Sequence, residues 1–252
     1  MMPRLRMVLF WCGVLLLIAP IAAVVCDMPR FGDHPLPYGD AINHDAPRDR
    51  HVSNTVSAVN FDYRGFDTLG EEFMLVCAVT GAVVLLRGSR GESVTAEPGT
   101  LPGRGLPGRS DAAVLISRLM GPFTLLFGFY VVLHATVTPG GGFQGGVVIA
   151  SGLLLLFMGE GYRGWRRIMR TPWLDVCEGG GALLFALAGL APMLTGSAFL
   201  QNILPYGKFR DMLSGGLMQI ENAGVACAVM AGFSLVLLEF LEETREPEHD
   251  DT

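Results

Sequence analysis

Six stretches of mostly apolar residues punctuate the chain, at about 7–25, 69–86, 114–135, 143–160, 174–194 and 217–240. A helix needs roughly 20 such residues to cross a bilayer core. One small domain cannot bury six runs of this length as core helices. The pattern predicts an all-α fold: an integral membrane helical bundle with about six transmembrane helices. The first run, MVLFWCGVLLLIAPIAAVV, carries no charge and follows Arg4 and Arg6. A signal peptide has the same outline. The run is long for one, and Val24-Val25 before Cys26 makes a poor cleavage site, so a retained first helix is expected.

The polar intervals set orientation and organisation. With the N-terminus inside, twelve of the eighteen Arg and Lys fall on inner segments and six on outer ones. That bias places both termini in the cytoplasm, and RGWRR at 163–167 is the strongest local cue. Nine of the 26 residues at 88–113 are Gly or Pro, which reads as a cytoplasmic linker. It divides a two-span module, 1–87, from a four-span domain, 114–241, followed by an acidic tail, 242–252. The outer segment 26–68 holds seven Asp together with His34, His44 and His51. Their spacing matches no ligand motif, so a solvated loop is expected and no metal site.

Composition then narrows the classes. Half the residues are hydrophobic, 17% are charged, mean hydropathy is +0.42 and net charge is −6. Hydrophobicity this high excludes a disordered chain, and the acidic balance argues against a nucleic-acid partner. The five Cys form no Cys-x-x-Cys pair, and Cys12, Cys77, Cys177 and Cys227 lie in apolar runs as small hydrophobes. No nucleophile elbow, Walker loop or dinucleotide fingerprint occurs, so neither an enzyme site nor a cofactor is expected.

Three features carry candidate chemistry. In NFDYRGFDTLGEE, residues 60–72, Asp67 and Thr68 can cap the second span, with Arg64 paired to Asp62 or Asp67. Capping accounts less well for two adjacent acids, Glu71 and Glu72, entering the membrane on different faces. Acids inside a membrane are costly and face a wet cavity or a partner. In LHATVTPGGGFQGGVVIA, residues 133–150, Pro139 and Gly140, Gly141 and Gly142 break the helix, and Phe143 and Gln144 restart it. Gly141/Gly145 and Gly142/Gly146 are small-xxx-small pairs that let another helix approach. His134 is read as either a structural hydrogen-bonding group or a proton relay. Glu221-Asn222, one turn inside the sixth span, needs polar partners. Glu160, Asp175 and Glu178 are expected to pair with charges near RGWRR.

TPGGGFQGG after Leu133-His134 closely resembles the signature of the B subunit of Mrp-type (multisubunit) Na+/H+ antiporters, a small four-span protein. FDYRGFDTLGE resembles the C-terminal region of the Mrp A subunit, which also occurs as a small subunit of membrane-bound hydrogenases. The chain therefore looks like a fusion of the two. The resemblance implies a membrane subunit of a multisubunit Na+/proton antiporter that contributes to assembly and the polar ion path. Implied partners are the other Mrp-type subunits, the lipid bilayer and the transported Na+ and H+. The implied location is the cytoplasmic (inner) membrane of a bacterium or archaeon. The alternative is an accessory subunit of a complex I-related redox-driven pump such as a membrane-bound hydrogenase; a third reading is a purely structural scaffold. Glu71 matches the Glu that ends the family string, and His134, Pro139, Phe143 and Gln144 match the B-subunit motif. Positions 72 and 221 are acidic where relatives are usually apolar. The stretch AGVACAV lacks a Lys that many B subunits carry there.

Overall fold

The computed structural model describes residues 3–28, 37–93 and 110–243. They form α1 (Pro3–Cys26), α2 (Pro37–Asp49), α3 (Thr55–Ala58), a π-helical turn at Val59–Tyr63, α4 (Gly65–Ser93), α5 (Asp111–Leu133), α6 (Gly142–Ile168), α7 (Thr171–Leu190), a 3-10 turn at Ala191–Thr195 and α8 (Leu217–Glu243). Helices α1 and α4 to α8 are each long and apolar enough to span a membrane. The expected six spans are therefore present, and the protein is an all-α, multi-pass membrane bundle. The expected linker and tail fall largely on 94–109 and 244–252, outside the described residues. Helix α4 continues to Ser93, beyond the expected start of the linker.

The chain forms two compact units, Met1–Ala41 and Ile42–Thr252. In the first, α1 is one continuous helix that includes Pro20, and its candidate span has no buried residue. Its apolar side chains suit lipid or a neighbouring protein of the membrane.

In the second unit, α5 and α6 form an antiparallel hairpin, and α8 packs on α4, α6 and α7. Sixty-one per cent of the α8 span is buried, against 17% for α4 and α5, so α8 is the axis of the unit. Glycine permits these contacts. A Cβ at Gly146 would lie 2.8 Å from Val229 Cβ, and one at Gly152 would lie 3.1 Å from the backbone of Leu125. Such distances leave no room for a side chain. Near the start of α5, Arg118 Nε donates to Glu160 Oε1 of α6 at 2.7 Å. Glu160 is therefore tied within the hairpin.

Residues 37–68 depart from the expected solvated loop. They fold into α2, α3 and the π turn, and they bury Ala46, Val52, Ala58 and Phe61. Val52 and Phe61 join Phe185, Met218 and Val225 in a core cluster. Alternation of a few apolar residues among seven Asp hides this packing from composition. Asp33 and His34 lie outside the described residues.

Candidate functional site

Residues 53–57, just before the first sequence motif, meet the turn of the second. Asn54 caps α3, and its Nδ2 donates to the carbonyls of Ala135 (2.7 Å), Thr138 (3.0 Å) and Gly140 (3.3 Å). Ser53 Oγ donates to Val137 O at 2.6 Å. The turn before α6 thus has its free carbonyls bonded by Ser53 and Asn54, as a buried loop requires. Gly140 and Gly141 have φ of 137° and 148°, where a side chain would strain the backbone. At Gly142 the amide donates to Asn222 Oδ1 at 2.8 Å, while Asn222 Nδ2 donates to Ser57 Oγ and to Met218 O. Asn222 is fully buried and its amide is bonded on both sides. It joins α3, α6 and α8.

The predicted packing motif is therefore an internal seam. Gly142 and Gly146 face α8, and Gly145 faces Val132 and Gly128 of α5. Pro139 and Gln144 are exposed, and Phe143 is partly buried against the core. His134 ends α5. Its Nδ1 lies 3.0 Å from Tyr130 O, and its ring stacks on Tyr130 at 4.0 Å. These contacts are local to its own helix.

The adjacent acids separate. One residue along a helix turns the side chain by about 100°, so Glu71 is exposed and Glu72 is fully buried. Glu221 of α8 is also fully buried, and Glu178 of α7 is 8% exposed. Among the described residues, neither carboxylate oxygen of Glu72 or of Glu221 has a hydrogen-bond partner, nor does Glu178 Oε1. Glu178 approaches Gly232 of α8 beside Val79 of α4. It lies within electrostatic reach of Glu72, which itself sits near Cys227 of α8. Gly232 lies eleven residues beyond Glu221 on α8, about 16 Å along the axis at about 1.5 Å per residue. The three carboxylates thus form a row between α4, α7 and α8. Glu178 is the correction here: it does not belong to a charged surface near RGWRR but to this row. Glu239, further along α8, is buried as well.

Beside Asp62 lies a cavity of about 630 Å3, lined by Arg50, Asp62, Tyr63, Arg64, Asn202 and Tyr206 among others. Asp62 lies within electrostatic reach of Glu221. Arg50 Nε donates to Asp62 Oδ1 at 2.8 Å, and Asn202 Nδ2 donates to Asp62 Oδ2 at 3.3 Å. The Arg50 guanidinium sits 5.0 Å from the Tyr63 ring centroid and 5.3 Å from that of Tyr206. Burial pushes both phenols up, so they stay neutral. Arg64 pairs with Asp67 in the first turn of α4, one of the two expected pairings. Asp67 is exposed and lies inside the helix rather than at its cap; Thr68 Oγ1 donates to Asn60 O at 2.6 Å. Nothing in the sequence pattern pointed to the partnership of Arg50 with Asp62, which lie twelve residues apart in different elements.

Comparison with known proteins places this architecture. The family described as "Domain related to MnhB subunit of Na+/H+ antiporter" matches residues 113–235. The putative antiporter subunit mnhB2 of Staphylococcus saprophyticus is 34% identical over 129 residues, covering 49% of this chain and 88% of that protein. A probable K(+)/H(+) antiporter A/B protein of Rhizobium meliloti is 28% identical over 225 residues, or 79% of this chain and 22% of that one. A chain of the Mrp complex from Dietzia sp. DQ12-45-1b shares the fold over 100% of this chain and 27% of its own length, with a TM-score of 0.71 and 21% identity. A chain of the membrane-bound sulfane sulfur reductase, an archaeal respiratory membrane complex, matches at TM-score 0.70 and 26% identity, over 94% of this chain and 98% of that chain. The glycine seam of α6 and α8 falls within the matched 113–235 region, and the chain belongs to the MnhB family of multisubunit antiporter proteins.

Proposed function

We propose that the chain is a membrane component of a multisubunit Na+/proton antiporter and supplies part of its polar ion path, without turnover of its own. The observation that carries this reading is the row of Glu221, Glu72 and Glu178 in the spans. An unpaired carboxylate buried in an apolar environment costs several kcal/mol. Three of them in neighbouring helices fit a role in which they hold a proton or a desolvated cation in turn. Glu71 lies on the exposed face of α4, where a neighbouring member of the complex would cover it. Asp67 and Arg64 form an exposed pair at the start of the same span. His134 stays at the α5 end as a helix-terminal group. Residues 1–87 act as the module resembling the Mrp A subunit, a reading supported by the match over 225 residues to the A/B protein. The arginine bias supports both termini on the cytoplasmic side of a bacterial or archaeal inner membrane.

The test is Glu72→Gln in the intact complex, assayed as Na+-driven ΔpH in everted vesicles. Loss of antiport with the other components still co-purifying is the expected result. Undiminished ΔpH would overturn the path role.

A second reading has its own support. The sulfane sulfur reductase chain is matched over nearly its full length. On that reading the same row serves a redox-driven pump. Co-purification of iron–sulfur proteins with this chain would select it over the antiporter.

A further inference from the structure

We propose that the cavity at Arg50 and Asp62 is the outer binding site of a monovalent alkali cation, with Asp62 as its ligand and Arg50 as a displaceable tether. The inference rests on the ion-path reading above and adds where the path opens and what guards it.

The geometry is that of an occupied but replaceable site. Asp62 sits at the end of the π turn, a helical defect that often re-aims side chains at functional positions. Its side chain is 8% exposed, whereas that of Arg50 is 28% exposed and reaches in from the segment after α2. The carboxylate is the more deeply buried partner and the guanidinium the more exposed one. Both Asp62 oxygens are engaged, one by Arg50 and one by Asn202. Asn202 is itself held: Nδ2 also donates to Gly215 O at 2.8 Å, and Oδ1 accepts from Leu217 N at 3.0 Å. Tyr63 contributes a buried hydroxyl with no hydrogen-bond partner among the described residues. A hydroxyl oxygen without a partner, on the wall of the same cavity as a carboxylate, is oxygen chemistry for a hard monovalent cation. A cation arriving from the cavity competes with the guanidinium for Asp62. Once Arg50 swings out, the bare Asp62 charge lies within electrostatic reach of Glu221, the first acid of the row. At rest, the Arg50 charge opposes leak of cations towards Glu221. The two tyrosine rings give the guanidinium a cation–π seat in the tethered state.

The test uses the whole complex in proteoliposomes, with Na+ presented on one side at a time. Arg50→Gln is expected to lower the half-saturating Na+ concentration by about tenfold from the Asp62 side, the size of one lost charged contact. From the opposite side the value stays unchanged. Asp62→Asn is expected to raise it on the same side, and Arg50→Lys to restore wild-type behaviour. A general structural defect would move both sides together. Equal shifts on both sides, or none, overturn the proposal. Equilibrium binding of radioactive Na+ to the detergent-purified complex separates this inference from the ion-path reading. Binding lost in Asp62→Asn keeps the site even where Na+ transport is absent from the wild type. Binding unaffected by Asp62→Asn removes it even where antiport is robust.

Discussion

The two sides of α8 are built on opposite principles. On the side of the α5–α6 hairpin, glycines at 142 and 146 bring backbones together, and the polar side chain buried there, Asn222, has its amide bonded on both sides. On the side of α4 and α7, Glu72, Glu178 and Glu221 occupy the interface with little to bond to. The first arrangement gains dispersion and offsets the desolvation of its one buried amide with hydrogen bonds. The second gives up stability that an apolar residue of similar size would restore. A bundle that needed only to assemble would use the first arrangement throughout. The contrast separates a seam closed by glycines from an interface that buries carboxylates.

That contrast can be broken most forcefully at the seam. Gly146→Leu places a side chain where even Cβ meets Val229 and the Ala226 carbonyl. Overpacking typically costs about 1–3 kcal/mol and more against backbone, so loss of the assembled complex on a native gel is expected. Next comes the acid side. Glu221→Gln should leave assembly intact and lower antiport by about tenfold or more, since a single charged contact is worth about that; a destabilised, unassembled complex would instead make Glu221 structural. Asn222→Ala removes the amide joining Ser57, Gly142 and Met218 and should lower stability by about 1–3 kcal/mol, read as a drop in Tm. Glu71→Gln, one residue from Glu72 but exposed, should change antiport less than about twofold, within the small effects of surface positions. An effect as large as that of Glu72→Gln would erase the distinction between the faces of α4. Smallest is Gly179→Ala: open space surrounds Gly179 and the helix gains about 1 kcal/mol at most, read as a slight rise in Tm.

Much of the fold is legible from residue order. The spans and the glycine pairs follow from run length and i, i+4 spacing. The acid row is partly legible too. Glu178 shares a helical face with Gly181, Ala182 and Phe185, all buried, at i+3, i+4 and i+7. Glu72 likewise shares a face with Thr68 and Val79. Periodicity therefore ranks Glu72 over Glu71, although the family resemblance singles out Glu71. The pairing of Arg50 with Asp62 has no such signal, because it depends on how the chain between them turns through α3 and the π turn.

By itself the sequence determined that this chain lies in a membrane, how many times it crosses, and which residues let helices approach. Those are properties of one helix at a time, set by the cost of exposing polar backbone and charge to lipid. Tertiary structure alone decided that acids from α4, α7 and α8 form one row, and that Arg50 meets Asp62. Convergence of side chains from distant segments is a property of packing, and no local pattern encodes it.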